Sequence, residues 1–391
     1  MKKRNLLAIF CALAMSAMIG TMAACAPADT PGGDHPGGDD PGIDNPGSEN
    51  PGDETPAYGL PVAGRGHYIN NSDILEEDGT RWLLYTTNET SGEEDNVIAV
   101  RKGTYTEGAD KGWAYGEETI ALRGTEGGWD ELIGSASLVK GEFEFGGTEY
   151  SWLMAYCGTD NLDETQFEIG LAVAQSPDGA WTKIGTEPVV TFDAAALGSP
   201  DTSVGCYAPS LINYTKESGI RLFYSYADAY GHFAKFVDID ASDLDAPVLS
   251  GEAMAPNHGE IAGGDSVAMF PNADFAYDAT GKKFYAVKDY SPSASMEPKF
   301  AERIQLLSIA EEELYTTDLG DGWAGIRTWD FSDTPDGMYE RLYGACIVSD
   351  AYGHTDGATG AEIVYNVCEL EMDNADYLFT QNLMSFEIDY Q

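Results

Sequence analysis

Residues 71–86 read NSDILEEDGTRWLLYT, which is a short entry segment, a turn, and an apolar strand with aromatic residues. The same design recurs four more times along the sequence. When the five segments are aligned, one position is occupied in turn by Asp73, Ser137, Ser210, Asp274 and Cys346, at intervals of 64, 73, 64 and 72 residues. A spacing this regular indicates five copies of one structural unit.

A repeat of about seventy residues with two to four strands and no long helix is typical of a β-propeller blade. The second copy also contains residues 169–185, IGLAVAQSPDGAWTKIG, in which Pro177-Asp178-Gly179 predicts a turn between two strands. A β-sandwich is the alternative, but its strands recur every 8–12 residues without a superposed long period. We therefore predict an all-β fold, a five-bladed β-propeller.

Composition supports this prediction and excludes one class of partner. The protein has 391 residues, with 45 Gly and 22 Tyr but only 21 Lys and Arg, which favours strands and turns over helices. Its hydrophobic content of 43% is sufficient for a large core. The formal charge of −45 would repel a phosphate backbone, so we expect no nucleic-acid binding.

The N-terminus has the layout of an export signal. Lys2, Lys3 and Arg4 precede an apolar run, residues 6–22, which ends in Met22-Ala23-Ala24-Cys25. A transmembrane anchor is the alternative, although the run is marginal for the ~20 residues that a bilayer requires. The last four residues resemble the bacterial lipoprotein cleavage box, with Met22 where Leu is usual. That resemblance implies a signal peptide over 1–24, acylation of Cys25, for instance by palmitate, and an extracytoplasmic protein anchored to a membrane.

A tether follows the predicted anchor. From Pro31 to Thr55 a five-residue unit that begins with Pro-Gly and carries acidic residues is repeated five times. Such a segment buries nothing, because Pro lacks a donor, Gly adds backbone entropy and the carboxylates repel one another. We predict a disordered linker over 25–57 and a single propeller body over 58–391, which we expect to be monomeric.

Several of these motifs resemble the five-bladed propellers of glycoside hydrolase family 43 and its furanosidase relatives. The matching segments are 71–74, 169–185, 208–211 and 272–278 (NADFAYD), and the similarity runs from about Tyr68 to the C-terminus. The resemblance implies a carbohydrate ligand and a general-base Asp in the first blade, which transfers to Asp73. It also implies an Asp in the second blade and an acid Glu in the third, but this protein has Ala136-Ser137 and 206–210 (CYAPS) there, without a carboxyl group.

Hydrolysis of a glycosidic bond by acid and base needs two carboxyl groups. By its place in the repeat, Asp274 is the best partner for Asp73, because both would point into the central funnel. Asp73 as a residue that stabilises a local turn is the competing interpretation. We expect Trp129 and Asp130 to form a sugar subsite, with an aromatic face for the ring and a carboxylate for its hydroxyls.

Three further residues are candidates for substrate binding at the rims of the third and fifth blades: Tyr207, Arg341 and Tyr343. The histidines are scattered singly, so the sequence predicts no transition-metal site. No cofactor is expected. A structural calcium ion is compatible with the many carboxylates, but no loop has the alternation of acidic ligands that would specify one.

Four cysteines remain after Cys25, namely Cys157, Cys206, Cys346 and Cys368. In an exported protein they could form two disulfide bonds. Their place beside apolar strands favours buried thiols instead.

The leading functional hypothesis is a surface-anchored glycosidase that acts on oligosaccharides or furanosides, with Asp73 and Asp274 as the catalytic carboxyl groups. The alternative is a noncatalytic glycan-binding propeller that has lost its acid and base. A third class, an adhesion or assembly protein, also remains open, because a fold does not fix a function.

Overall fold

The protein is described here by a computed structural model. It describes residues 60–107, 112–161, 163–199, 203–229, 231–255, 270–290, 303–315, 322–334, 341–368, 379 and 381–390. The predicted signal peptide, Cys25 and the tether over 25–57 lie outside these residues.

The described residues are almost entirely β-strand and form five sheets, which we call blades I to V in sequence order. Blade I contains β1 (Asn70–Glu77), β2 (Thr80–Asn88), β3 (Asn96–Thr106), β4 (Gly112–Tyr115) and β5 (Thr119–Arg123). Blade II contains β6 (Leu132–Phe145), β7 (Thr148–Thr159), β8 (Glu168–Ala174) and β9 (Thr182–Lys183). Blade III contains β10 (Gly205–Asn213), β11 (Gly219–Asp228), β12 (Gly231–Asp240) and β13 (Val248–Met254).

Blade IV contains β14 (Asp274–Asp278), β15 (Lys283–Tyr290), β16 (Arg303–Ala310) and β17 (Ala324–Asp330). Blade V contains β18 (Arg341–Ile347), β20 (Ala361–Cys368) and β21 (Asn382–Ile388). The short strand β19 (Ser349–Asp350) leaves blade V and pairs in parallel with β1. The described helical segments are short: α1 (Ala194–Leu197) and two 3₁₀ turns, Glu313–Tyr315 and Phe331–Asp333.

Local turn chemistry explains why the first two blades begin with a hairpin. Asp78 and Gly79 join β1 to β2 with φ angles of 49° and 74°. Gly146 and Gly147 join β6 to β7 with φ angles of 60° and 71°. Two consecutive residues with positive φ match the right-handed twist of the flanking strands, which is why Asp-Gly and Gly-Gly are common there.

The five first strands form the inner ring of the propeller. Strands β1, β6, β10, β14 and β18 each contact the next in this order, and β18 contacts β1 to close the ring. A second link across the closure joins Val62, near the first described residue, to Asn382 in β21. The arrangement therefore has the five blades around one axis that the repeat predicted.

The hydrophobic core lies between blades rather than at the axis. Each of five buried clusters draws its residues mainly from two neighbouring blades. In β2, for example, Trp82 and Leu84 pack towards blade II, whereas Leu83 and Tyr85 pack towards blade V. Because side chains alternate along a strand, a strand between two blades has one apolar face towards each neighbouring blade.

The structure confirms the all-β prediction and the five-bladed propeller. The predicted turn at residues 176–179 is present, with the N–H of Gly179 donating to the carbonyl of Ser176 at 2.9 Å. Cys157, Cys206, Cys346 and Cys368 are buried free thiols. No helix among the described residues has the length and apolar character needed to cross a membrane.

Candidate functional site

One side chain on each inner strand occupies the aligned position of the repeat, and we call these five the column residues. In four blades the column residue accepts a hydrogen bond from a backbone N–H of the next blade. The donor always directly follows the column residue of that blade. The acceptor and donor pairs are Asp73 Oδ2 with Leu138 N at 2.8 Å, Ser137 Oγ with Leu211 N at 3.0 Å, Ser210 Oγ with Phe275 N at 3.0 Å, and Asp274 Oδ2 with Ile347 N at 2.8 Å.

The backbone of the inner strands is shaped to aim these side chains. The pairing register shifts immediately before the column residue in β1, β10 and β18, and one residue earlier in β6. In blades I, III, IV and V the residue two positions earlier has a positive φ; these residues are Asn71 (47°), Ala208 (45°), Asn272 (47°) and Gly344 (53°). A bulge with a left-handed residue turns the next side chains out of the regular pleat. The column residues consequently bridge blades instead of packing within one.

A small central cavity of about 30 Å³ lies where the five inner strands meet. Every blade contributes to its wall, with Asn71, Ser72, Asp73, Ser135, Ala136, Ala208, Pro209, Asn272, Ala273, Asp274, Gly344 and Ala345. Asp73 and Asp274 therefore line the same space from blades I and IV. The structure brings together the two carboxyl groups that the sequence analysis selected.

Burial controls the protonation of this pair. It raises the pKa of Asp73 to about 6, against the opposing effect of the Leu138 N–H and the Ser137 hydroxyl. Burial, together with the negative charge of Asp73, raises the pKa of Asp274 to about 7. Since each deprotonation disfavours the other, the pair titrates as a unit. Near neutral pH, one group is mostly ionised while the other still holds much of its proton.

Asp274 also has a structural task. Its Oδ1 accepts a hydrogen bond from the hydroxyl of Ser210 at 2.8 Å, and its Oδ2 accepts from Ile347 N. The side chain thereby ties blade IV to blades III and V. Any proton transfer by Asp274 has to occur within this network.

Trp129 and Asp130 lie between blades I and II, and neither belongs to the residues that line the central cavity. Trp129 stacks on Tyr156 with ring centroids 5.8 Å apart. Asp130 is 2% exposed and accepts hydrogen bonds from the Tyr156 hydroxyl at 2.9 Å and from Lys183 Nζ at 2.5 Å. In this conformation both side chains are engaged with neighbouring residues.

Tyr207, Arg341 and Tyr343 lie at the end of the propeller where the inner strands begin, which we call the entry face. The Tyr207 oxygen is 2.7 Å from His232 Nδ1, and burial raises the pKa of Tyr207 above its usual range. Arg341 Nη1 lies 3.9 Å from the sulfur of Cys368. All three side chains are buried, with exposures of 6%, 2% and 5% respectively.

The structure also places residues at the entry face that sequence reasoning missed, chief among them Asp289 near the end of β15. Its Oδ1 accepts from the N–H of Gly344 at 2.8 Å and its Oδ2 from the side-chain amide of Asn272 at 2.6 Å. Asp289 thus holds two of the left-handed residues in place, and burial raises its pKa to about 7. The only sequence signal was the charged pair Lys288-Asp289 directly after the apolar run 284–287.

Among the described residues, no group of three His, Cys, Asp or Glu side chains is arranged to hold an ion.

Comparisons with known proteins give matches at the level of structure alone. No protein-family model matches the sequence, and no curated protein sequence matches it significantly. Zg3597, a family 117 glycoside hydrolase produced by the marine bacterium Zobellia galactanivorans, superposes with a TM-score of 0.54 at 13% identity, covering 86% of this protein and 89% of that one. The BT0996 complex with RGII gives a TM-score of 0.52 at 12% identity, covering 85% and 91%. A thermostable family-43 glycoside hydrolase gives 0.48 at 15% identity, covering 85% and 92%.

The two matches with TM-scores above 0.5 span most of both proteins, so the likeness concerns the whole propeller. The resemblance to five-bladed propeller glycoside hydrolases is confirmed for the fold. At such low identity the comparison transfers no catalytic residue, and roles have to be argued from the site itself.

Proposed function

We propose that the protein is a glycosidase that acts on oligosaccharides or furanosides, with its catalytic carboxyl groups at the central cavity. One observation carries this proposal: two buried carboxyl groups, Asp73 and Asp274, line the same cavity and have pKa values of about 6 and about 7. Glycoside hydrolysis requires one carboxylate and one carboxylic acid at the same pH. Burial of both groups and the repulsion between their charges support one ionised and one protonated carboxyl group near neutral pH.

In the proposed mechanism the group with the lower pKa acts as base. Asp73, ionised first, activates the attacking water or orients the substrate. Asp274 retains its proton longer and donates it to the leaving oxygen of the glycosidic bond. Two neighbouring acids whose environments separate their pKa values are a common basis for assigning such roles.

We further propose that the sugar is recognised at the entry face by Tyr207, Arg341 and Tyr343, after a rearrangement that exposes these buried side chains. Aromatic faces suit the apolar side of a sugar ring, and a guanidinium suits its hydroxyls. Trp129 and Asp130 would contribute only after the contacts with Tyr156 and Lys183 rearrange.

The test is a panel of aryl arabinofuranosides, aryl xylosides and natural oligosaccharides with the wild-type protein and Asp73→Asn. We expect hydrolysis of at least one substrate, and a fall of about 10²- to 10⁴-fold in the variant, the usual contribution of acid–base catalysis. Equal rates in both proteins would remove Asp73 from the chemistry. No hydrolysis by the wild type, together with binding on a glycan array, would instead establish a noncatalytic glycan-binding module.

We also propose that the propeller is a monomer held outside the cytoplasm by a lipid on Cys25. The lipoprotein-like sequence at 22–25 and the acidic Pro-Gly tether support this location. Labelled palmitate should be incorporated into the wild-type protein and not into Cys25→Ser. Equal labelling of both would contradict the proposal.

A further inference from the structure

Blade IV carries a row of polar side chains on a face that is otherwise apolar. The strand register places Lys288 of β15 beside Gln305 of β16, and Gln305 beside Thr328 of β17. In β15 and β16, Phe284, Ala286, Leu307 and Ile309 share this face and pack into the core between blades III and IV. Alternation along the strands therefore directs the polar row towards blade III.

The row is buried and poor in hydrogen-bond partners. Lys288 is 2% exposed and Gln305 is 0% exposed. Neither the oxygen nor the nitrogen of the Gln305 amide has a hydrogen-bond partner among the described residues, and the same holds for the buried Thr328 Oγ1. Buried polar atoms are normally satisfied, because leaving one unpaired costs about 1–3 kcal/mol. Two of these atoms, Gln305 Nε2 and Thr328 Oγ1, are donors on adjacent strands, and they point to an acceptor group that both bind.

The positive charge of the Lys288 ammonium favours a negatively charged ligand at this place. It donates a hydrogen bond to the backbone carbonyl of Asp289 at 3.5 Å, which is a long distance for such a contact. It also lies 5.4 Å from the ring centroids of both Phe270 and Tyr290. Burial lowers the pKa of Lys288 to about 8, while the negative charge of Asp289 opposes this shift. A buried cation in such surroundings is stabilised by an anion placed against it.

The blade III groups that hydrogen-bond to Phe270, whose ring lies near the Lys288 ammonium, already have partners. The Ser225 hydroxyl donates to the carbonyl of Phe270 at 2.7 Å, and the carbonyl of His232 accepts from the N–H of Phe270 at 3.3 Å. His232 Nδ1 lies 2.7 Å from the hydroxyl of Tyr207. Because these groups already have partners, they do not supply the acceptors that the donors of the row require.

We propose that Lys288, Gln305 and Thr328 form an anion-binding site between blades III and IV that takes a small monovalent anion of the size of formate or chloride. The ammonium, amide and hydroxyl groups all offer hydrogen-bond donors, as an anion requires. Burial among aromatic side chains limits the ligand to a few atoms. The site is separate from the central cavity, because none of the three residues lines it.

The test measures the thermal unfolding of the intact protein at pH 6.5 in sodium formate, sodium chloride and sodium MES at equal ionic strength. MES, a bulky sulfonate, is the control for screening by salt. We expect formate or chloride to raise the Tm by about 5 °C over MES, with saturation as the concentration rises. The comparison of formate with chloride identifies which anion the site prefers.

Two variants localise the effect. Lys288→Met should abolish the anion-dependent rise, whereas Lys283→Met, the same change at an exposed position of the same strand, should keep it. Gln305→Leu provides a second route if Lys288→Met does not fold, and it should weaken the response. Equal Tm values in all three salts, or an undiminished rise in both Lys288→Met and Gln305→Leu, would overturn the proposal.

Discussion

The column residues of blades I and IV differ from those of blades II and III in their chemistry and not in their contact. All four accept a hydrogen bond from the backbone of the next blade, but the first pair are the aspartates Asp73 and Asp274, while the second pair are the serines Ser137 and Ser210. A serine hydroxyl thus suffices for the contact between blades. Burying a carboxyl group is more costly than burying a hydroxyl, so the aspartates call for a reason beyond structure. The same position of the repeat therefore serves two purposes: in all four blades it holds neighbouring blades together, and in blades I and IV it also supplies a carboxyl group to the cavity.

The fifth column position closes the ring in a different way. Cys346 lies 3.6 Å, sulfur to oxygen, from the hydroxyl of Ser72. Both carboxyl groups of the cavity raise the pKa of its thiol further, in addition to the effect of burial. A neutral thiol at this place avoids adding a third negative charge beside Asp73 and Asp274.

The largest expected effect comes from turning the aspartates into the residue that the protein itself uses in blades II and III. Asp73→Ser and Asp274→Ser should each reduce kcat/KM by about 10²- to 10⁴-fold, because the carboxyl group is lost while an acceptor for the neighbouring N–H is kept. Steady-state kinetics and thermal unfolding measure the two properties separately. The Tm of Asp73→Ser should stay the same or rise, whereas Asp274→Ser also loses one of the two contacts that Asp274 makes with Ser210 and Ile347.

A matched control lies in the same strand. Asp278, at the other end of β14, is also buried, and its Oδ1 accepts from the N–H groups of Thr280 and Gly281 at 2.9 and 2.8 Å. Asp278→Ser should leave the kcat of the folded protein unchanged. If it lowered kcat as much as Asp274→Ser, a catalytic role specific to the column aspartates would be disproved.

The next effect is the pH dependence of catalysis. Activity needs Asp73 ionised and Asp274 protonated, so kcat/KM should be bell-shaped with apparent pKa values near 6 and 7. Below pH 6 the rate falls because the base gains a proton, and above pH 7 it falls because the acid loses one. The profile is measured with the best substrate of the panel. A rate that stays level from pH 5 to pH 9 would be incompatible with these roles.

A smaller effect tests whether the column hydrogen bonds stabilise the contacts between blades. Ser210→Ala removes the acceptor of the Phe275 N–H and a donor to Asp274, so the free energy of unfolding should fall by about 1–3 kcal/mol. Ser137→Ala should cost a similar amount, since Ser137 Oγ accepts from Leu211 N and its hydroxyl also hydrogen-bonds the column residue Asp73. Denaturant titration measures both. If neither variant were destabilised, the column contacts would contribute nothing to holding the blades together.

Much of the fold was predictable because repetition amplifies weak local signals. One segment such as 71–86 is an ordinary hairpin, but five copies at a near-constant interval leave few architectures. The same alignment found Asp73 and Asp274, since equivalent positions of a ring face a common axis. Asp289 and the Lys288–Gln305–Thr328 row escaped notice because they lie on second to fourth strands, where sequence gives no register between strands.

By itself, the sequence determined the number of blades, their antiparallel hairpins and which residues occupy the column, because these follow from periodicity and turn chemistry along the backbone. Only the tertiary structure decided which polar atoms meet across blades. Contacts such as Asp73 with Leu138, or Asp289 with Gly344, join residues 65 and 55 positions apart. Burial at those contacts then shifts the pKa values on which the proposed chemistry depends, and burial is a property of the packed blades rather than of any one segment.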